Sequence, residues 1–256
     1  MEESPIELHQ FSHSHFNEKV RWALDYKGVR HVRINYLPGP HLLQVRRLSG
    51  QSLVPVLCMD GRTLAGSASI VDAIEQRFPS PPLYPADPAE REEALTVQAK
   101  LDAELGPEIR RAGFACFLDD KSFVVSTFAS EKPKWKRKLY KAALPGIRVA
   151  MRKSMNITPE TGRRAKERVD VLLDFIAEKT AATGYFVGGR FTVADLAAAA
   201  LLGPAILVDH PDMKQAPNPP RAFAALCAEW ASHPAMQWGQ RIWRDHRPAS
   251  RGIVIR

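Results

Sequence analysis

The chain has few cysteines, and none is placed for a disulfide framework. Cys58, Cys116 and Cys227 are the three in 256 residues. They form no CxxC pair and cannot all be bridged, so reduced thiols in a reducing compartment are expected. Long apolar runs are also missing. The longest, Leu196 to Val208, is interrupted by Gly203-Pro204 and falls short of the roughly 20 residues that a membrane span requires. The first residues, MEESPIELHQF, lack the basic and apolar regions of a signal peptide. There is no internal repeat and no low-complexity tract. These absences exclude a membrane-spanning, fibrous or disulfide-stapled chain and lead us to expect a soluble, cytoplasmic protein. With 45% hydrophobic and 25% charged residues, the chain has an ordinary globular composition, long enough for one large domain or two.

Acidic residues are absent from one stretch. Lys132 to Lys153 holds nine of the 36 basic residues and no acidic one; elsewhere 27 basic residues face 28 acidic ones. The formal charge of +8 therefore belongs to a nearly neutral body carrying one basic segment. Such a segment suits a solvated helix face, a lid over organic anions, or contact with a membrane surface. It carries no nucleic-acid recognition motif, and nucleic-acid binding is not expected.

The first eighty residues alternate strand and helix patterns. Ile6 to Phe11 alternates with period two, and Phe16, Val20, Ala23 and Leu24 mark one face of a helix that stops at Gly28. Val32 to Tyr36 reads as a second strand, followed by a less regular segment through Arg47. Leu53 to Met59 and Arg62 to Ala65 form a hairpin around Asp60-Gly61, the strongest turn signal in the chain. A helix follows from Ser67. Pro79, Pro81, Pro82, Pro85 and Pro88 then mark a linker, and the pattern beyond is helical. The expected architecture is α/β followed by all-α: residues 1–79, a linker over 80–88, and a helical domain over 89–256. Thr192 to Asp195 opens an alanine-rich buried helix as a capping box, so Asp195 is structural.

Three places carry possible chemistry. A proline inside the strand at Val54-Pro55 marks either an edge position or a cis bond that would leave the Val54 backbone free to pair with a bound peptide. Gly66-Ser67 opens a helix directly after a strand. There Ser67 either caps the helix or adds its hydroxyl to an N-terminus suited to a carboxylate. Ser14 lies between the first strand and the first helix, where a hydroxyl can donate to an anion. No G-x-S-x-G elbow supports a serine nucleophile, and no carboxylate or cysteine cluster completes a metal site from His9, His13 and His15.

In this order, these features resemble the cytosolic glutathione transferase family over nearly the whole chain. Ser14-His15-Phe16-Asn17-Glu18-Lys19-Val20-Arg21 is similar to the S-P-F-x-x-R-V-R segment of serine-type classes such as tau and zeta. Val54-Pro55-Val56-Leu57 resembles the family's cis-proline strand, and Thr192 to Asp195 its capping motif. The resemblance implies a thioredoxin-like domain followed by a helical bundle, with glutathione as co-substrate. Ser14 would stabilise the thiolate, Val54 would pair with the peptide backbone, and Ser67 would hold the γ-glutamyl carboxylate, on a site that includes Leu53, Pro55 and Gly66. It further implies a homodimer and a small hydrophobic electrophile bound near Phe114, Phe117, Trp135 and Tyr140. Several positions depart from the pattern. His15 replaces proline, Gly66 replaces Glu or Gln, and Leu53 replaces a lysine whose role would pass to His41, Arg46 or Arg47. The segment from Phe114 to Thr161 is longer than usual. A non-catalytic binding protein of the same fold, acting through residues 132–153, is the alternative. Thiol–disulfide exchange is disfavoured because no cysteine lies near Ser14.

Overall fold

The computed structural model describes residues 5–206, 208 and 210–255. Strands β1 (Glu7–Gln10), β2 (His31–Asn35), β3 (Val56–Met59) and β4 (Arg62–Ala65) alternate with helices α1 (His15–Tyr26), α2 (His41–Ser49) and α3 (Ser67–Arg77). Strand β1 runs parallel to β2, with Leu8 opposite Arg33, and antiparallel to β3, with His9 opposite Val56. Strands β3 and β4 close on Asp60 and Gly61, whose φ values of 51° and 72° are the left-handed pair of a tight hairpin. Leu8 and Leu57, facing the same side of the sheet, meet Val20, Ile70 and Ile74 of α1 and α3 in the main core.

Helices follow from residue 88: α4 (Pro88–Ala103), α5 (Leu105–Phe117), α6 (Lys121–Ala129), α7 (Lys134–Met155), α8 (Pro159–Thr180), α9 (Val193–Leu202), α10 (Arg221–Ala231) and α11 (Pro234–His246). Every residue of α9 is buried, which explains its alanine-rich sequence: small side chains let α1, α4 and α11 approach from different sides. Its capping box forms as expected. Asp195 accepts from the Thr192 N–H at 2.9 Å and from the Phe186 N–H at 3.0 Å. Burial lifts the Asp195 carboxyl to about 6 against these hydrogen bonds, which favour its charged form.

One expectation needs correction. Residues 89–256 are not wholly helical, because β5 (Gly252–Ile255) returns to the first half of the molecule and pairs parallel to β2, giving the sheet order β4-β3-β1-β2-β5. The physical reason is a buried ionic cluster that draws the chain back. Arg247, after α11, reaches Glu18 at 2.6 Å, Asp25 at 2.9 Å and Asp212 at 2.7 Å. Arg33 binds the same Asp25 and Asp212, and Asp25 also accepts the Arg251 N–H at 2.7 Å. Gly252 is required where the strand begins, since a Cβ there would collide with the Arg33 guanidinium.

Candidate functional site

The sheet topology gathers the three candidate points at one end. Because β1 and β3 are antiparallel, the C-terminal end of β1 lies beside the N-terminal end of β3, and the hairpin brings the C-terminal end of β4 to the other side of that β3 end. Ser14 follows β1, Val54 precedes β3 and Gly66-Ser67 follows β4. Positions separated by 53 residues in sequence therefore emerge at the same end of the sheet.

Ser14 is the N-cap of α1, with extended φ and ψ of −145° and 124°, and its side chain makes no capping hydrogen bond. Its carbonyl accepts the Glu18 N–H at 2.8 Å, which starts the helix. The hydroxyl is thus left without a capping bond at the positive end of the helix dipole. Next to it, His15 is buried and its Nε2 meets the Gly106 carbonyl of α5 at 2.9 Å. Burial, reinforced by the nearby Arg110 charge, holds the His15 ring neutral, with its pKa down to about 3. The proline-to-histidine change thus ties the Ser14 turn to the helical half. Phe16 extends the contact: a Cβ on Gly106 would overlap its ring, so glycine is what allows α5 this close. His13 also reaches across, its Nε2 meeting the Lys214 carbonyl at 2.6 Å. His9 is turned to Tyr36 at 2.8 Å. The three histidines are engaged with separate partners, and no metal-binding cluster occurs among the described residues.

The Val54–Pro55 bond is cis. Strand β3 begins only at Val56, so Val54 stands outside the ladder, and no hydrogen bond takes up its N–H or C=O among the described residues. Leu53 differs. Its N–H donates to the Gln51 Oε1 at 2.9 Å and its C=O accepts from the Gln51 Nε2 at 2.6 Å. One glutamine side chain thus acts as a short strand against Leu53, leaving the adjacent Val54 groups as the free pair. With its side chain 72% exposed and its backbone occupied, Leu53 has only apolar contact to give. Sequence reasoning missed Gln51, although a long amide two residues before Leu53, the expected start of the strand, is the sort of signal that could have drawn attention.

Gly66, not Ser67, is the N-cap of α3. Its φ of +88° explains the glycine, and a Cβ there would meet nothing within 4 Å. Ser67 is the first helical residue and is buried, without a capping role, so its hydroxyl and the helix N-terminal N–H groups remain for another acceptor.

The expected glycine-carboxylate partners divide. His41 is buried and both ring nitrogens are used: Nδ1 accepts the Gly39 N–H at 3.1 Å, so Nε2 donates to the Ser52 carbonyl at 3.1 Å. Arg46 and Arg47 are exposed on α2. The expected electrophile-binding aromatics divide as well. Phe114 and Tyr140 belong to a closed core between α5, α6 and α7, Phe117 is half-buried beside it, and Trp135 is 62% exposed. They do not line one pocket. The long segment from 114 to 161 is accounted for by α6, α7 and the ends of α5 and α8.

Comparison with known proteins supplies relatives. The profile "Glutathione S-transferase, N-terminal domain" matches residues 8–82, and "Glutathione S-transferase, C-terminal domain" matches residues 124–227, together more than two thirds of the chain. A maleylpyruvate isomerase from a Ralstonia species is 29% identical over 105 residues, 40% of this chain and 50% of that protein. A probable glutathione S-transferase from Nicotiana tabacum is 30% identical over 140 residues, 53% of this chain and 55% of its own length. The chain thus spans about half the length of these curated relatives. Among solved structures, a glutathione S-transferase from Methylobacterium radiotolerans, in complex with glutathione sulfonate, superposes with a TM-score of 0.55 at 20% identity, covering 99% of each chain. That likeness concerns the fold.

Proposed function

Because this chain belongs to the glutathione S-transferase family, we propose that it binds glutathione at the shared end of β1, β3 and β4 and activates the thiol for attack on a small hydrophobic electrophile. The observation that carries this reading is that groups from three separate stretches are unpaired at one end of the sheet: the Ser14 hydroxyl, the Val54 backbone and the Ser67 hydroxyl. Val54 would pair with the peptide backbone as a strand does. The γ-glutamyl carboxylate would rest on Ser67 at the N-terminus of α3. Ser14 would donate to the sulfur, lower the thiol pKa and raise the thiolate fraction at neutral pH. The nucleophile belongs to glutathione, and the protein supplies position and hydrogen bonding. The glutathione sulfonate complex of the Methylobacterium protein is consistent with this use of the fold.

Calorimetric titration with glutathione tests binding, and Ser14→Ala tests the chemistry. One charge-assisted hydrogen bond contributes roughly 1.5–3 kcal/mol, so conjugation at neutral pH should slow by about 10- to 150-fold. Affinity should change little, because Val54 and Ser67 hold the peptide elsewhere. Ser12→Ala is the control. Matching pH–rate profiles for wild type and Ser14→Ala would remove Ser14 from the role. No binding at millimolar glutathione would favour a non-catalytic binding protein. The Ralstonia relative carries the name of an isomerase, so isomerisation is the related activity to assay alongside.

A homodimer through α3 and α4 completes the proposal. A shallow groove of about 480 Å³ runs along α4 past Pro88, Arg91, Leu95 and Ala99, with Leu95 37% exposed, which supports a packing surface there. Sedimentation at micromolar concentration should give twice 28.6 kDa; a monomer mass would sink the dimer.

A further inference from the structure

Helix α7 has two apolar faces, and the molecule covers only one. Tyr140 and Leu144 are buried, with Ile147, Met151 and Met155 packed beside them against α5 and α6. On the opposite side Trp135, Leu139, Ala142, Gly146 and Val149 recur at spacings of four, three, four and three, which places them on one stripe of a helix. All five are exposed, with Trp135 at 62%, Leu139 at 60% and Val149 at 68%. Eight basic residues and no acidic one lie on the same helix.

Arg137 is half-buried, and by helical spacing it lies on the side of Tyr140 and Leu144. Arg148 and Arg152 both pair with Asp119. Lys134, Lys136, Lys138, Lys141 and Lys153 are exposed and enter no ion pair among the described residues. By helical spacing, Lys134, Lys138 and Lys141 border one side of the stripe and Lys136 the other.

We propose that α7 is a docking face for an anionic lipid bilayer surface, with Trp135, Leu139 and Val149 entering the boundary between headgroups and acyl chains and the lysines lying among the headgroups. A second copy of the chain is a poor occupant, because two such helices would bring like charges together. A protein groove takes shape-specific anchors, whereas the centre of this stripe is flat at Ala142 and Gly146. Two of the three guanidiniums on the helix are occupied on Asp119 and the third, Arg137, lies by spacing towards the covered side, while the lysines that flank the stripe, as mobile point charges on long apolar stems, suit a fluid anionic surface. An apolar stripe flanked by lysines is the pattern of helices that lie in the interface plane.

The experiment uses the full chain with vesicles of phosphatidylcholine mixed with phosphatidylglycerol, and with vesicles of phosphatidylcholine alone. The protein should sediment with the mixed vesicles, not with the neutral ones, and should release at high salt. Trp135 provides an internal probe, because Trp22, Trp230, Trp238 and Trp243 are all buried. Its emission should shift to the blue on binding and be quenched by brominated acyl chains, and both signals should vanish in Trp135→Phe. The triple variant Lys134→Gln, Lys138→Gln, Lys141→Gln should bind on the order of 100-fold more weakly. Leu139→Gln with Val149→Gln should also weaken binding. These side chains are exposed, and an unchanged melting temperature checks that the variants fold. Failure to bind mixed vesicles, binding without a change at Trp135, or binding indifferent to the lysine variant would each overturn the proposal. Capture by polyglutamate or DNA in place of vesicles would also overturn it and reassign the face to an acidic macromolecule.

Discussion

A single residue shows how a departure from a family pattern can be structural. His15 stands where the resemblance calls for proline, and its ring spans from the Ser14 turn to the Gly106 carbonyl. The backbone itself does not demand histidine. Ser14 is extended, as a residue before proline prefers, and the first position of a helix tolerates proline because its N–H has no intrahelical partner. His15→Pro should therefore fold, keep α1 and lose about 1 kcal/mol for the hydrogen bond, plus the packing of the ring. Urea denaturation at neutral pH measures this. The folded ring titrates near 3 and an unfolded histidine near 6.5, so the wild-type advantage is present above pH 6.5 and is lost as pH falls towards 3. The gap between wild type and variant should close within that window and then reverse, because protonating the buried ring costs more than one hydrogen bond contributes. An unchanged gap would mean that the ring does not act as a neutral hydrogen-bonding group. At Gly66 the departure has a backbone cause, a φ of +88°, which sequence alone could not reveal.

Among the elements, legibility followed periodicity. Helix α1 showed its apolar positions in sequence, and the Asp60-Gly61 hairpin formed where the turn residues placed it. The sequence of helix α2 looks irregular because the helix has almost no buried face: His41 and Val45 are buried, while Leu42 and Leu43 are 50% and 59% exposed. A helix that presents leucines to solvent carries no period for a reader to find. Strand β5 was invisible for a different reason. Four residues, Gly-Ile-Val-Ile, show no alternation, and their partner is β2, more than two hundred residues away. The basic run is evident from charge, but sequence could not tell which face of that helix the molecule covers, burying Tyr140 and leaving Trp135 exposed. For the candidate site the same limit applies. Ser14, Val54 and Ser67 were legible as positions, whereas the Gln51 clasp and the His41 bonds depend on loop geometry.

Across the whole molecule, the two halves are joined by a charge-balanced cluster. Glu18, Asp25 and Asp212 supply three carboxylates, and Arg21, Arg33 and Arg247 supply three guanidiniums, drawn from α1, β2, the turn at 210–213 and the chain beyond α11. Arg247 also lies over the rings of Trp22 and Trp243. Such a cluster stabilises only if every member is paired, since one buried charge left alone costs several kcal/mol. Asp212 reports on it. Burial alone would raise its carboxyl, but the Arg21, Arg33 and Arg247 charges outweigh burial and hold it down to about 2. An unfolded aspartate titrates near 3.9, so between these values the unfolded chain binds a proton that the folded chain does not. The contribution, on the order of 2 kcal/mol, is complete above about pH 4 and is lost as pH falls towards 2. Asp212→Asn should lose about 3–5 kcal/mol at neutral pH, because it leaves buried guanidiniums short of a carboxylate. At pH 3 its deficit relative to wild type should be about 1 kcal/mol smaller, as the wild-type advantage fades. Paired denaturation curves at the two pH values decide the matter. Equal deficits would show that the carboxylate charge of Asp212 is not what clasps the two ends of the chain together.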